Sequence, residues 1–452
     1  MDRLGLVLTA LLAFTALDSD AGVVGDEVRV LTRNVYVGAD IFRVIEAPDP
    51  LLALTEIALV YDTVQQTDFP ERAKALASEI AATQPHIVGL QEVALIRIQE
   101  PGDVLIGNPV AATEIDFDYL QLLLDELAVL GLQYSVAGTI DNADVELPLL
   151  GATLRDVRLT DRDVLLVRDD VIIGNAESGN FHDFVAFELS GLPIEFLRGF
   201  NAVDAWIAGR PYRIVNVHLE TGGDFGAAVQ QMQAAELLDS LSDQFLPLIV
   251  IGDFNAGPVS APAQAYQQFI DAGYNDAWAL YSNADGFTCC HSETLDDPAS
   301  QLSSRIDLVM VRNPGAVIVT DAAVLGDEPA DLTPNGLWPS DHAGVYAALA
   351  LAVGDTDNDT IDDLSDNCVL VSNPTQHDTD NDGFGNLCDG DLDQSGFTNF
   401  ADLAMLRQAF FSDDPDADFN GDGIVGFLDL AIFKSLFGAP PGPVSPAAPG
   451  TD

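Results

Sequence analysis

Several hydrophobic runs in this chain end in a side chain that can do chemistry. Asn34 closes VRVLTRN, Glu92 follows IVGLQ, and His218 sits in VNVHLE. Asp253 and Asn255 lie in LIVIGDFNA, Asp307 in SRIDLVMV, and Asp341 with His342 in WPSDHAG. Runs of uncharged, β-favouring residues read as buried strands. Polar groups at their tips gather at a sheet rim, where layered α/β folds keep reactive groups. Singly, each has a plain explanation: Asn34 suits a turn, His218 a satisfied edge position, and Asp307 an ion pair with Arg305. Jointly they supply what phosphoester hydrolysis needs: a seat for a hard cation, a base for water, and a donor for the leaving oxygen. Glu92 suits magnesium, which keeps most of its waters and takes only one or two carboxylates. His342, oriented by Asp307, is the expected base, and His218 the proton donor. Asp253 and Asn255 are expected to hold the attacking water and the phosphate.

Periodicity predicts the elements that carry these residues. Strands are expected over 27–37 and 87–93, with a helix opened by Pro70 whose apolar face is Ala73, Leu76, Ala77 and Ile80. Phe117, Leu120, Leu124 and Leu127 mark a second helix, stopped by Gly131. Strands follow around 133–137 and 163–168, then a hairpin joins 202–208 to 212–220 through Gly209 and Arg210. Helices over 229–241 and 261–272 and strands over 306–311 and 345–351 complete the α/β region. Several strands are joined without an intervening helix, which predicts two packed sheets with outer helices rather than one doubly wound sheet.

In order, TRNV, LQEV, VNVHLE, GDFN, SRIDLV and SDH resemble the endonuclease/exonuclease/phosphatase superfamily. That superfamily includes DNase I-like nucleases, bacterial sphingomyelinases and inositol-polyphosphate 5-phosphatases. The resemblance runs over residues 28–351 and implies a four-layered α/β sandwich with a phosphoesterase activity that depends on magnesium or manganese. It implies Glu92 as a metal ligand, with Asn34 and Asp341 beside it. Asp253 and Asn255 match the GDxN pair, Asp307 and His342 the Asp–His pair, and His218 the second histidine of the nuclease and sphingomyelinase branches. Where some relatives carry an acidic residue just beyond the asparagine, this chain has Tyr36, which argues against a second metal contact there.

The 452 residues divide into a leader (1–21), a catalytic region (22–352), two acidic modules (354–390 and 391–437) and a Pro/Ala-rich end (438–452) read as loose. The leader has Arg3 ahead of a short apolar stretch, too short to span a bilayer, and no later run is long enough. A secreted protein without a transmembrane segment is expected, and four cysteines suit an oxidising compartment. Acidic residues number 72 against 18 basic, a formal charge of −54 that repels nucleic acid and anionic membranes unless cations screen it.

The substrate class stays open among nucleic acid, phospholipid and small phosphodiesters. Arg155, Arg158, Arg162 and Arg168 alternate with Asp156, Asp161, Asp163 and Asp169, which reads as a solvated, self-paired face rather than a phosphate track. Trp206, Trp278 and Trp338 are expected in the core rather than at a membrane. Cys289-Cys290-His291 could be a metal or redox site. No CxxC partner stands near it, and a vicinal disulfide and free thiols both stay open.

Beyond Gly354 the chain turns Asp-rich, with only Arg407 and Lys434 as basic residues. Asp355, Asp357 and Asp359 recur as Asp378, Asp380 and Asp382, and alternate carboxylates in a chain without a core call for cations. The segment 366–389 resembles thrombospondin type 3 repeats, which implies wrapped calcium and a Cys368–Cys388 disulfide. Asp391, Asp393, Ser395 and Asp402 are repeated as Asp418, Asn420, Asp422 and Asp429, at calcium-loop spacing and each before an amphipathic helix. This pair resembles a type I dockerin, which implies calcium and a cohesin-like protein partner. The competing function is a non-catalytic, calcium-dependent extracellular adhesion protein on the same fold. It predicts a degraded constellation, yet every core residue is present.

Overall fold

The computed structural model describes residues 27–443, save 108, 190–191, 224–225 and 260–262. The expected leader at 1–21 and residues 444–452 lie outside the described residues. In chain order the strands are β1 (Val28–Asn34), β2 (Ile87–Gln91), β3 (Leu95–Gln99), β4 (Glu114–Asp118), β5 (Tyr134–Leu150), β6 (Leu154–Arg168), β7 (Ile172–Asn180), β8 (Val185–Leu189), β9 (Leu192–Phe196), β10 (Gly199–Ile207), β11 (Arg210–His218), β12 (Leu248–Asp253), β13 (Asn275–Asp276), β14 (Asp307–Arg312), β15 (Val317–Leu325) and β16 (Gly344–Leu351). The helices are α1 (Phe42–Glu46), α2 (Pro50–Gln66), α3 (Phe69–Thr83), α4 (Tyr119–Val129), α5 (Gly226–Ser240), α6 (Gln264–Asp271), α7 (Ala277–Tyr281), α8 (Phe400–Ala409) and α9 (Phe427–Leu436).

Two mixed sheets form, in the orders β15-β16-β1-β2-β6-β3-β4, with β5 on β6, and β13-β14-β12-β11-β10-β7. The alternation of side chains along each strand decides what packs where. Val28, Val30 and Ile87 meet Val203, Ile214, Ile249 and Ile251 in the space between the sheets. Their neighbours Leu31, Val88 and Leu90 turn outward and are covered by Ile57 and Val64 of α2, Leu76 and Ile80 of α3, and Leu123 and Leu127 of α4. On the other sheet Val215, Val217, Leu248 and Val250 turn outward beneath Ala234 and Leu237 of α5 and Phe269 of α6. Helix, sheet, sheet, helix is the expected layering. Full burial of each such aliphatic side chain contributes about 1.5–3 kcal/mol.

Amides also tie the sheets together. Asn216 of β11 donates to the Leu90 and Val164 carbonyls, both at 3.3 Å, and accepts from Gln91 Nε2 at 2.6 Å. Gly89 makes room for it, because a Cβ there would press on the Asn216 side chain.

After β16 the acidic region forms a smaller body. Cys368 and Cys388 are joined, their Cα atoms 5.7 Å apart. Leu406, Phe419, Val425 and Phe433 make a core between α8 and α9. The end from Gly438 is not loose over its described residues. Gly438 and Thr398 are linked at 3.0 Å, Thr398 and Ala439 at 2.9 Å, Gly442 and Cys388 at 3.1 Å, and Val369 and Pro443 at 3.1 Å, all through backbone. Composition pointed the other way because Pro and Ala carry no sign of these backbone pairings.

Candidate active site

Strand direction brings the reactive side chains to one rim. β1 and β2 run parallel with Asn34 opposite Gln91, so Glu92 leaves the sheet beside Asn34. β11 and β12 run parallel with His218 opposite Asp253. β14 runs antiparallel to β12 and starts with Asp307 opposite Asp253. β16 is antiparallel to β1, so His342, just before it, arrives at the same rim. The backbone there is bent into unusual shapes: Tyr36, Glu92 and Asn255 have φ of 61°, 59° and 49°. Left-handed non-glycine residues carry strain that cluster positions such as active sites tolerate.

Contacts then run unbroken across the site. Asn34 Nδ2 donates to Glu92 Oε1 at 3.0 Å and to Asp253 Oδ2 at 3.2 Å. Asp253 Oδ2 lies 3.8 Å from His342 Nδ1 and 3.7 Å from His218 Nε2. His342 Nδ1 meets Asp307 Oδ2 at 2.8 Å. Arg305 is not the partner of Asp307; it bonds Asp276 at 2.7 Å. Asn255 donates through its side chain to the Leu219 carbonyl at 3.0 Å, and its backbone N–H donates to Asp253 Oδ1 at 2.8 Å. Glu92 Oε2 accepts from the Val37 N–H at 3.0 Å. Ser340 donates to the Asn34 carbonyl at 2.8 Å, and Arg33 reaches the His342 carbonyl, which fixes the loop carrying Asp341 and His342 to the end of β1. Below that loop Arg72, fully buried, donates to the carbonyls of Val35, Tyr36, Thr67 and Pro339.

The charges of these groups depend on one another. Burial opposes protonation of His342, but Asp307, Asp341 and Asp253 outweigh it and hold its pKa well above the ordinary value. His218 is also raised: burial and Arg198 work against its charge, while Asp163 and Asp253 work for it and prevail. Burial, helped by Asp307, lifts the Asp253 carboxyl above the usual range against the pull of both histidines. Burial also pushes Glu92 up, but His218, the Asn34 amide and His342 more than offset it, leaving it low. Burial lifts Asp341 to about 7, with Glu92 adding to it and His342 working against it.

Three further residues adjoin the site: Arg198, which the sequence does not single out, and Asp161 and Asp163, which it assigns to a solvated face. Asp163 Oδ1 lies 3.2 Å from His218 Nδ1, and Arg198 Nη1 lies 2.9 Å from His218 Nε2. Asp161 stands next to them, with burial and Asp163 pushing it up to about 7. The expected self-paired Arg–Asp face is therefore corrected. Arg158 pairs with Asp144, Arg162 with Asp118 and Arg168 with Asp170, while Asp156, Asp161 and Asp163 turn inside. The missed signal was the two-residue step from Asp161 to Asp163, which puts both on one face of β6.

Trp206 and Trp338 are buried and Trp278 is half-buried. Cys289 and Cys290 are bonded to each other, and Cys290 Sγ lies 3.9 Å from His342 Nε2. In the acidic region the carboxylate oxygens of Asp355, Asp357 and Asp359 come within 4.8 Å of one another. So do those of Asp378, Asp380 and Asp382, and of Asp391, Asp393 and Asp402. Asp391 also accepts from Ser395 N at 3.0 Å, and Asp418 and Asp429 accept from the N–H groups of Asp422 and Asn420, both at 3.2 Å.

Residues 61–342 match the model of the Endonuclease/Exonuclease/phosphatase family. No curated protein matches the chain. Among solved structures the chain is similar to an endonuclease/exonuclease/phosphatase family protein from Leptotrichia buccalis, with 16% identity, 71% of this chain and 99% of that chain covered, and a TM-score of 0.45. It is also similar to a mannosyl-6-phosphatase from Bacteroides thetaiotaomicron (17% identity, 71% and 99% covered, TM-score 0.43). A third is D. rerio TDP2 complexed with single strand DNA product (16% identity, 72% and 98% covered, TM-score 0.43).

Proposed function

Because this chain belongs to the endonuclease/exonuclease/phosphatase family, we propose that it is a secreted, divalent-metal-dependent phosphoester hydrolase with a calcium-binding C-terminal region. The observation that carries the reading is the continuous chain of contacts from Glu92 through Asn34 and Asp253 to the His342–Asp307 pair. A non-catalytic adhesion protein has no need of that arrangement.

Glu92 and Asp341 would hold magnesium or manganese, since hard cations favour carboxylate oxygens and a positive charge there would offset the repulsion that Glu92 exerts on Asp341. Such an ion neutralises phosphate charge and steadies the leaving oxygen. Asn34 is read as positioning Glu92 rather than ligating, since its amide N–H donates to that carboxylate and its oxygen is taken by the Tyr36 N–H at 2.9 Å. The environment also shifts one role. Three carboxylates favour a protonated His342, which makes it a donor to a phosphate oxygen, while Asp253, raised and between two imidazoles, is the better base for water. Asn255, anchored to Leu219, orients the water or the phosphate. His218 has Asp163 on Nδ1, Arg198 Nη1 close to both ring nitrogens and Asp253 3.7 Å from Nε2, so it is read as bracing Asp253 rather than facing the leaving group.

A small phosphodiester is favoured over a long nucleic acid, because three of the four β6 arginines, Arg158, Arg162 and Arg168, are already paired with carboxylates and Arg155 lies over the Tyr61 ring, which makes that strand a poor phosphate track. For calcium, Asp402 and Asp429 are wholly buried in a region whose only basic residues are Arg407 and Lys434. Each accepts two backbone N–H groups, Asp402 from Asp393 and Asn399 and Asp429 from Asn420 and Gly426, and a calcium ion would balance the charge that those bonds leave. We keep the thrombospondin type 3 reading for 354–390 and the dockerin reading for 391–437. A cohesin-like partner would meet Phe400 and Phe427, which stand exposed at matching positions of the two repeats.

The test is hydrolysis of bis(4-nitrophenyl) phosphate, DNA, RNA, sphingomyelin and inositol phosphates with magnesium or manganese. The small diester should be cleaved, and Glu92→Ala and His342→Ala should each lower kcat by about a hundredfold or more. Unchanged rates in both variants would refute the assignment.

A further inference from the structure

Cys289 is bridged through its backbone to both Ser304 and His342, so the cysteine pair is built onto the wall of the site rather than hung on a loose loop. Two backbone bonds reinforce this: His291 N–H to the Asp341 carbonyl at 2.8 Å, and Ala343 N–H to the Thr288 carbonyl at 2.7 Å. Cys289 is buried while Cys290 is exposed, so a soluble thiol can reach the outer sulfur. One ligand atom each from Cys289, Cys290 and His342 lie within 4.8 Å of one another. His342 Nδ1 is held by Asp307, and Nε2 is the ring nitrogen that faces Cys290 Sγ, 3.9 Å away.

A tetrahedral ion with bonds of about 2.3 Å to sulfur and about 2.0 Å to nitrogen spaces its ligands about 3.5–3.8 Å apart. The sulfur and nitrogen already stand near that spacing. Two thiolates and an imidazole are a soft donor set, unlike the carboxylates of the Glu92 side, and they select zinc or cadmium over magnesium.

We propose that the reduced Cys289–Cys290 pair and His342 Nε2 form a soft-metal site that takes the His342 imidazole out of use. The electrons come from a dithiol: it gives two electrons and two protons to the disulfide and closes to its own disulfide, leaving two thiols. The metal ion then replaces the two thiol protons and the Nε2 proton of His342, all three of which pass to solvent, and its third bond goes to the Nε2 lone pair so freed. The disulfide form has no thiolate and leaves His342 free. Silencing rests on the role given to His342 under the proposed function; the metal site itself does not.

The experiment adds cadmium to the full chain, oxidised or reduced with dithiothreitol and then freed of it. Saturating magnesium and calcium keep the carboxylate sites filled. Thiolate-to-cadmium charge transfer in the ultraviolet reports the site, and bis(4-nitrophenyl) phosphate hydrolysis reports His342. Reduced protein should gain the band and lose more than tenfold of its activity, while oxidised protein under the same cadmium keeps it. Reduction also opens Cys368–Cys388, so a Cys289→Ser/Cys290→Ser chain, checked for folding by circular dichroism, supplies the baseline. It should show a weaker band and no cadmium inhibition relative to its own metal-free rate. His342→Ala should keep the band but bind cadmium more than tenfold more weakly in competition with a chromophoric chelator. An equal band in the double serine chain, undiminished affinity in His342→Ala, or equal inhibition of both redox forms each overturns the proposal. If the chain cleaves no phosphodiester at all, the proposed function falls, while the band and the His342→Ala affinity still decide the metal site.

Discussion

Asp161 is buried behind His218 with one carboxylate oxygen unpartnered, and its carboxyl is pushed up to about 7 by burial and by Asp163. In the unfolded chain it titrates at its ordinary value of 3.8. Between those two values the folded state holds a proton that the unfolded state has lost, so this group makes stability fall as pH rises from about 4 to about 7. Below that window it is neutral in both states and costs little. Asp161→Asn is therefore expected to raise Tm by a few degrees at pH 8 and to change it little at pH 4, followed by calorimetry. A gain of equal size at both pH values would contradict the assignment. The same residue marks the boundary of what sequence can reveal. Glu92, Asp253, Asp307 and His342 were legible because each stands at a strand tip, where burial and reactivity meet. Asp161 and Asp163 lie within β6, and only long-range pairing decides that Arg158 and Arg162 of the same strand turn to Asp144 and Asp118 while the aspartates turn inward.

At the scale of elements, the join between the two sheets is what keeps Glu92 and Asp253 together, since Glu92 follows a strand of one sheet and Asp253 ends a strand of the other. Gly89→Ala puts a methyl group against the Asn216 side chain and disturbs its bonds to Gln91, Leu90 and Val164. It should cost about 1–3 kcal/mol in urea unfolding. It should also lower kcat more than binding, because the two halves of the site shift apart. An unchanged unfolding midpoint would refute this. The main strands were readable from their uniform hydrophobic runs. The helix α2 was not, because apolar residues lie on several sides: Ala53, Ile57, Tyr61 and Val64 are buried while Leu51, Leu52 and Leu59 are exposed. The long β5–β6 hairpin was recognised only at its base, since its outer half is broken by charges that pair across strands. Likewise α4 begins at Tyr119, and Phe117 belongs to β4.

At the scale of the whole molecule, the sandwich has its own large apolar core, while among the described residues the acidic region has a small one between α8 and α9. Calcium removal with a chelator should therefore make the region beyond Gly354 sensitive to proteolysis while leaving the far-ultraviolet signal of the sandwich largely intact. Simultaneous loss of both would refute that separation. The charge of −54 carries a second consequence. Screening shortens from about 30 Å at 0.01 M salt to about 8 Å at 0.15 M. An anionic diester should thus be captured faster as salt rises, with kcat/KM increasing severalfold over that range. A rate that falls with salt would instead indicate an attractive groove of the kind that follows nucleic acid.

An acidic protein that admits an anion needs a local source of opposite sign, and the loop anchor Arg72 is placed to supply one. Its guanidinium donates to carbonyl oxygens, lies 4.9 Å from the Phe69 ring centre and feels the attraction of the Asp341 carboxylate, and it sits under the turn from Val35 to Tyr36 and the segment ending at Pro339. If the substrate is a single phosphate group, this buried charge would favour it at close range while the acidic surface turns polyanions away.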